Sequence, residues 1–251
     1  MKVAILAGGF GTRISEYTKD IPKPMIPIKG EPILIKIIKI YLRFNIKNFV
    51  IATGYKNEVI ENYFINNKNF KSYIIKSKKK KKFLFQIGKK ICEICLYYTG
   101  KNTLTGGRLK KIKDEFEKNK TFMMTYGDGI ADININNLIR FHIKHKNLAT
   151  ITAVHPIGRF GMLEINNKNV VKKFEEKKQT KKDWINGGFF VFEYDIFKYL
   201  KSDKTILEQK PLETLSKKRK LFAYKHHNFW MCMDTKRDLN NLKKVYNKYF
   251  E

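Results

Sequence analysis

Cysteine, acidic residues and arginine are all in short supply in this chain. The three cysteines, Cys92, Cys95 and Cys232, are too few and odd in number for a disulfide framework, which points to a reducing, cytoplasmic compartment. Cys92 and Cys95 spell C-x-x-C, but no second Cys or His pair stands at zinc spacing, and on a strand their sulfurs point to opposite faces. No segment reaches the roughly 20 apolar residues of a membrane span. The run Val3 to Ala7 passes straight into glycines and is too short for a secretion signal. No membrane partner is therefore expected. Asp and Glu number 23 against 52 Lys and Arg, a formal net charge of +29. That surplus would suit nucleic acid, yet it is nearly all lysine and accompanies abundant Ile and Asn, the composition that AT-rich codons produce. No module interleaving Arg with aromatics is present, so no specific nucleic-acid partner is expected. A positive field that draws anionic substrates remains.

What is present describes a folded globule: 251 residues, 43% hydrophobic and 14% aromatic, enough for one sizeable domain over 1–251. Lys2 to Ala7 reads as a buried strand and Pro32 to Phe44 as a helix whose Lys36 and Lys39 face water. Phe49 to Thr53 reads as a second strand, followed by a helix from about Asn57 to Ile65. This βαβα alternation predicts an α/β fold with a doubly wound, mostly parallel sheet, whose ligands sit beyond the carboxyl ends of its strands. A lysine-rich excursion or extra ribbon at about 66–98 interrupts it, with strand-like pieces such as Phe83 to Ile87. Alternation resumes with a helix opening at Thr105, a strand at Phe122 to Tyr126, a helix at about Ile135 to Lys146 and a strand at Ala149 to Val154. Antiparallel hairpin strands are expected around Met162 to Ile165, Val170 to Phe174, Gly188 to Phe192 and Leu221 to Tyr224, then a helix over Thr235 to Tyr249. His142 and His145, three apart on a helix with no evident carboxylate partner, read as surface residues.

The first strand runs into Leu6-Ala7-Gly8-Gly9-Phe10-Gly11-Thr12-Arg13. Glycines after a strand let backbone N–H groups approach phosphate oxygens without Cβ obstruction. The P-loop ending Gly-Lys-Ser/Thr is absent, and Ile14 stands where the dinucleotide fingerprint needs a third glycine. Lys23, held between Pro22 and Pro24, sits on a restricted backbone suited to meeting a phosphate in fixed geometry.

These two motifs together resemble the signature of nucleoside-diphosphate-sugar pyrophosphorylases. Further along, Thr105-Gly106-Gly107-Arg108-Leu109-Lys110, Thr125-Tyr126-Gly127-Asp128-Gly129, Gly158-Arg159-Phe160-Gly161, Ile185-Asn186-Gly187-Gly188-Phe189-Phe190 and Met233-Asp234-Thr235 resemble the branch of that family that joins CTP to glucose 1-phosphate. The resemblance implies the Rossmann-like fold of the family and release of pyrophosphate. It also implies Mg²⁺ as cofactor on Asp128 and Asp234, a homo-oligomer, and CDP-glucose for deoxysugar synthesis in a surface polysaccharide. Arg13, Lys23 and Asp128 would be catalytic. The nucleotide would be bound by Leu6, Ala7, Gly8, Gly9, Phe10, Gly11, Thr12, Arg13, Lys23, Thr103 and Arg108, with Arg108 near phosphate. Glu176, Lys177 and Asn186 would hold the sugar phosphate. The chain departs from the family pattern at Lys178, where Pro usually follows the Glu-Lys pair, and at Tyr98, where an acidic residue usually precedes Thr99-Gly100. UTP or dTTP in place of CTP, a catalytically silent nucleotide binder and a lysine-driven nucleic-acid binder are the competing readings.

Overall fold

The structure is a computed structural model that describes residues 1–67, 70–77, 79–156, 158, 161–176 and 183–250, with the backbone alone over 70–76. Nine strands form one sheet: β1 (Lys2–Ala7), β2 (Asn48–Thr53), β3 (Phe70–Ser77), β4 (Lys80–Ile87), β5 (Lys90–Tyr98), β6 (Phe122–Tyr126), β7 (Ala149–Val154), β8 (Ile185–Phe192) and β9 (Leu221–Lys225). Their spatial order is β9-β7-β8-β6-β1-β2-β5-β4-β3. The central run β6-β1-β2-β5 is parallel throughout. Antiparallel pairings flank it, with β8 between β6 and β7 on one side and the β5-β4-β3 meander on the other, but β9, expected as a hairpin strand, pairs parallel with β7 because the chain crosses over through the helix Lys210–Lys217 before reaching it. The lysine-rich segment is thus part of the sheet, and β5 is a direct parallel partner of β2.

The central strands are mostly apolar because both faces are covered. Val3, Ile5 and Ala7 of β1 enter one core, while Ala4 and Leu6 enter the other. Helices α1 (Ile33–Arg43), α2 (Asn57–Ile65), α4 (Ile135–His145) and α6 (Lys236–Phe250) bury side chains in the first core. Helices α3 (Thr105–Lys111) and α5 (Lys210–Lys217) bury theirs in the second. This is the doubly wound arrangement that the alternation implies. Cys92 and Cys95 fall in opposite cores, as a strand demands. Burial pushes both thiols up to about 12, so neither is reactive at neutral pH.

Two surface expectations are corrected. Lys36 is 5% exposed, not solvated; its Nζ lies 3.8 Å from the centroid of the Tyr246 ring and 3.7 Å from Glu31 Oε2. The periodicity of α1 cannot reveal that α6, two hundred residues later, covers its lysine-bearing face. Lys39 instead keeps a partly exposed pair with Glu31. His142 is 1% exposed. Its Nδ1 meets Thr150 Oγ1 at 2.8 Å and its Nε2 meets Glu193 Oε1 at 3.1 Å, a carboxylate brought from 51 residues away. His145 shares the same threonine hydroxyl at 2.6 Å.

Burial holds the pKa of both histidines below the ordinary value, with Glu193 opposing it at His142 and the neighbouring His142 adding to it at His145. A depressed histidine pKa means that the unfolded chain binds more protons below pH about 6.5, so stability declines as pH falls from there toward the folded-state pKa values. The thermal midpoint is expected to drop between pH 7 and 5, and His142→Gln is expected to flatten that drop. An unchanged slope in the variant would assign the acid sensitivity to other groups.

Candidate active site

The glycine loop, the ends of β6 and β8, and the start of α3 surround a cleft of about 840 Å³ at the carboxyl end of β1. Two glycines in the loop are required for two different reasons. Gly11 takes φ +65°, which starts the tight turn Thr12–Ile14. A Cβ on Gly8 would lie 2.1 Å from Nη1 of Arg108. Nothing in the described protein lies within 4 Å of a Cβ on Gly9, which is exposed on the cleft wall. The fold itself places no demand for glycine at position 9. Leu6, Ala7, Thr12 and Arg13 also line the cleft. The Phe10 ring is instead 5.3 Å from that of Tyr55, and Phe10 lies outside the cleft wall.

At one end of the cleft two carboxylates share one ammonium. Lys23 Nζ donates to Asp128 Oδ2 and to Asp234 Oδ1, each at 2.6 Å. Arg13 Nη1 donates to Asp234 Oδ2 at 2.9 Å. Burial works against the Lys23 charge, but the two aspartates outweigh it and hold its pKa above the ordinary value. The convergence of positions 105 and 211 residues from Lys23 has a local cause. Gly129–Ala131 pairs antiparallel with Trp230–Cys232, Gly129 opposite Cys232, and the Met233 N–H donates to Asp128 O at 2.8 Å. This ribbon aligns Asp128 and Asp234 across Lys23, and the sequence reading does not contain it. Among the described residues no cluster of three or more His, Cys, Asp or Glu could hold a metal. A pair of carboxylates suits a hard cation such as Mg²⁺, which completes its shell with water and phosphate oxygens.

Arg108 lines the cleft. It is 4% exposed, and its guanidinium is spent on the protein. Nη1 donates to Thr53 O at 3.0 Å, Thr99 Oγ1 at 2.6 Å and Gly100 O at 2.9 Å, and Nη2 donates to Gly8 O at 2.7 Å and Lys101 O at 3.2 Å. It holds the glycine loop, the end of β2 and the loop after β5 together at the cleft wall. Burial pulls its pKa down to about 10, which leaves it charged at neutral pH. Gly8 and Gly54 both owe their identity to it, since a Cβ on Gly54 would lie 2.3 Å from the same Nη1.

Thr103 lines the cleft with its hydroxyl donated to Thr99 O at 2.7 Å. Asn186 also lines it, its Oδ1 accepting from the Gly188 N–H at 2.8 Å and its Nδ2 facing the Tyr126 hydroxyl at 3.4 Å. Glu176 is exposed at the end of the ribbon Met162–Ile165 with Val171–Glu175, its Oε2 beside Gly161. The structure does not place it on the cleft wall. Lys177, Lys178, Arg159 and Phe160 lie outside the described residues. Tyr126 and Trp230 belong to the site, and Glu208 backs Tyr126 from outside it. Tyr126 and Trp230 line the cleft, and the indole N–H of Trp230 donates to Gly187 O at 2.6 Å. Only the position of Tyr126, two residues before Asp128, could have signalled its importance.

The sequence matches the nucleotidyl transferase family over residues 2–247. It is 41% identical over 251 residues to the glucose-1-phosphate cytidylyltransferase of Salmonella typhimurium, covering 99% of this chain and 96% of that protein. It is 40% identical to a probable glucose-1-phosphate cytidylyltransferase of Bacillus subtilis, covering 99% and 97%. Among solved structures, HddC from Yersinia pseudotuberculosis superposes with a TM-score of 0.70 at 22% identity, over 98% of this chain and 99% of that one. A putative glucose-1-phosphate thymidylyltransferase from Bacillus anthracis superposes at 0.72 with 19% identity, over 98% and 94%, which again speaks for the fold alone. With the glycine loop, the Lys23 turn and the paired aspartates gathered on one cleft of this fold, the chain belongs to the nucleotidyl transferase family.

Proposed function

We propose that this protein transfers a cytidylyl group from CTP to glucose 1-phosphate. An oxygen of the sugar phosphate attacks the α-phosphorus of CTP, the bond from that phosphorus to the bridging oxygen breaks, and pyrophosphate leaves with the electron pair. CDP-glucose would then serve deoxysugar synthesis for a surface polysaccharide. One observation carries the reading: Lys23 and Arg13, two cations, meet Asp128 and Asp234 at the rim of a cleft walled by the bare Gly9. Two anions must be brought together there while negative charge grows on the leaving group, so positioning and charge neutralisation supply the catalysis. Asp128 and Asp234 would hold Mg²⁺, which when bound neutralises phosphate oxygens. Lys23 then offers a compact charge and Arg13 a planar fork to the triphosphate or the sugar phosphate. The choice of CTP and glucose 1-phosphate rests on the names of the 41% and 40% identical relatives.

A dedicated nucleic-acid face is disfavoured by the pairing of the central lysines. Lys80, Lys81 and Lys82 each contact a carboxylate, on Glu115, Glu61 and Glu93 respectively. A panel of CTP, UTP, dTTP, ATP and GTP, each with glucose 1-phosphate and Mg²⁺, tests the assignment through pyrophosphate release. Turnover with CTP far above the others is expected; turnover restricted to UTP or dTTP would replace the base, and none with any triphosphate would remove the activity.

A further inference from the structure

Gly106 and Gly107 at the start of α3 are bare for packing, not for phosphate. A Cβ on Gly107 would lie 2.3 Å from Asp203 O, and one on Gly106 would lie 2.8 Å from Thr205 Cγ2. The segment 202–208 is strapped across this helix start: the Leu104 N–H donates to Asp203 O, the Gly107 N–H to Thr205 O, and the Leu207 N–H to Thr105 Oγ1. The strap ends at Glu208, whose carboxylate bridges two walls of the cleft. Its Oε2 accepts from the Thr105 hydroxyl at 2.6 Å and its Oε1 accepts from the Tyr126 hydroxyl. The Tyr126 ring is itself wedged against Gly188, where a Cβ would lie 2.8 Å from Cδ2.

A phenol has one proton, and here a carboxylate takes that hydrogen bond. The phenolic oxygen is left as an acceptor with two lone pairs, one of which accepts from Asn186 Nδ2, 3.4 Å away on the same cleft wall. We infer that Glu208, although outside the cleft wall, is a positioning residue for sugar recognition. By accepting the Tyr126 hydrogen bond it leaves the remaining lone pair of that oxygen to accept from a hydroxyl of the sugar phosphate, next to Asn186 as a donor. The inference deepens the proposed function and rests on Asn186 holding the sugar phosphate, as the family resemblance implies.

The test is steady-state kinetics of Glu208→Gln, Glu208→Ala, Tyr126→Phe and the double variant Tyr126→Phe/Glu208→Gln, run with whichever triphosphate the panel selects. A failure of the base assignment therefore leaves this test standing. Each single variant is expected to raise KM for glucose 1-phosphate about tenfold, with KM for the triphosphate and kcat changed less than about threefold. Discrimination against galactose 1-phosphate and mannose 1-phosphate should fall, because a site built to bond a hydroxyl loses selectivity with that bond. The double variant should be no worse than the more severe single, since Tyr126→Phe removes the same contact that Glu208→Gln weakens by replacing a charged acceptor with a neutral one. Glu208→Gln preserves shape where Glu208→Ala fails to fold, and Tyr126→Phe reports on the contact from its other end. An effect on triphosphate KM equal to that on sugar-phosphate KM would overturn the inference, as would additive losses or unchanged selectivity.

Discussion

Asp128→Asn is expected to cut pyrophosphate release by roughly 10³-fold or more while the protein stays folded, the order of loss seen when a preorganised electrostatic group is removed from a transition state. The substitution keeps the side-chain shape, and the backbone bond from the Met233 N–H to Asp128 O does not depend on the carboxylate. What it deletes is one of the two charges that face each other across Lys23. A neutral amide is a poor ligand for a hard cation that prefers carboxylate, phosphate and water oxygens. Lys23 keeps its contact with Asp234, so the thermal midpoint should move by only a few degrees. Circular dichroism and the melting curve measure the fold, and pyrophosphate release measures the chemistry. Near-normal turnover would take Asp128 out of the proposed metal site and would force the carboxylate role onto Asp234 alone.

The second large effect is structural. Arg108→Ala removes the donor from four carbonyl oxygens and one hydroxyl that meet on one buried guanidinium. Bonds from a charged donor contribute more than neutral ones, and acceptors stranded inside add a desolvation cost, so the loss in stability should be roughly 3 kcal/mol or more. Arg108→Lys should recover only part of it, because an ammonium is a point donor and cannot span the fork. Gly8→Ala should mimic the loss by driving a methyl to within 2.1 Å of the same Nη1. Urea midpoints at constant m value provide the measurement. If Arg108→Ala left stability unchanged while abolishing activity, the guanidinium would belong to the substrate and its latch role would be wrong.

The two predictions illustrate how far residues speak for themselves. The βαβα alternation in the first 65 residues is legible because each period is set locally: β1 alternates between two cores and α2 starts and stops where its pattern does. The glycine loop and the flanking prolines at Lys23 announce anion binding for the same reason, since each carries its backbone geometry with it. Lys36 and His142 were misjudged because burial depends on what arrives from elsewhere, α6 for one and Glu193 for the other. Arg108 shows the harder case. Its motif marks a site, but an arginine that contacts a ligand and one that latches a loop are spelled alike.

The sequence alone determined the alternation of elements, the phosphate-shaped loop and the family to which the chain belongs, because these follow from short-range periodicity and motifs whose backbone demands are local. Only the tertiary structure decided which charges meet. The ribbon of Gly129–Ala131 with Trp230–Cys232 brings Asp234 opposite Asp128, and the strap at 202–208 carries Glu208 to Tyr126. Both depend on contacts between residues tens to a hundred positions apart, and the energy of such contacts lies in shapes and distances that no local pattern encodes.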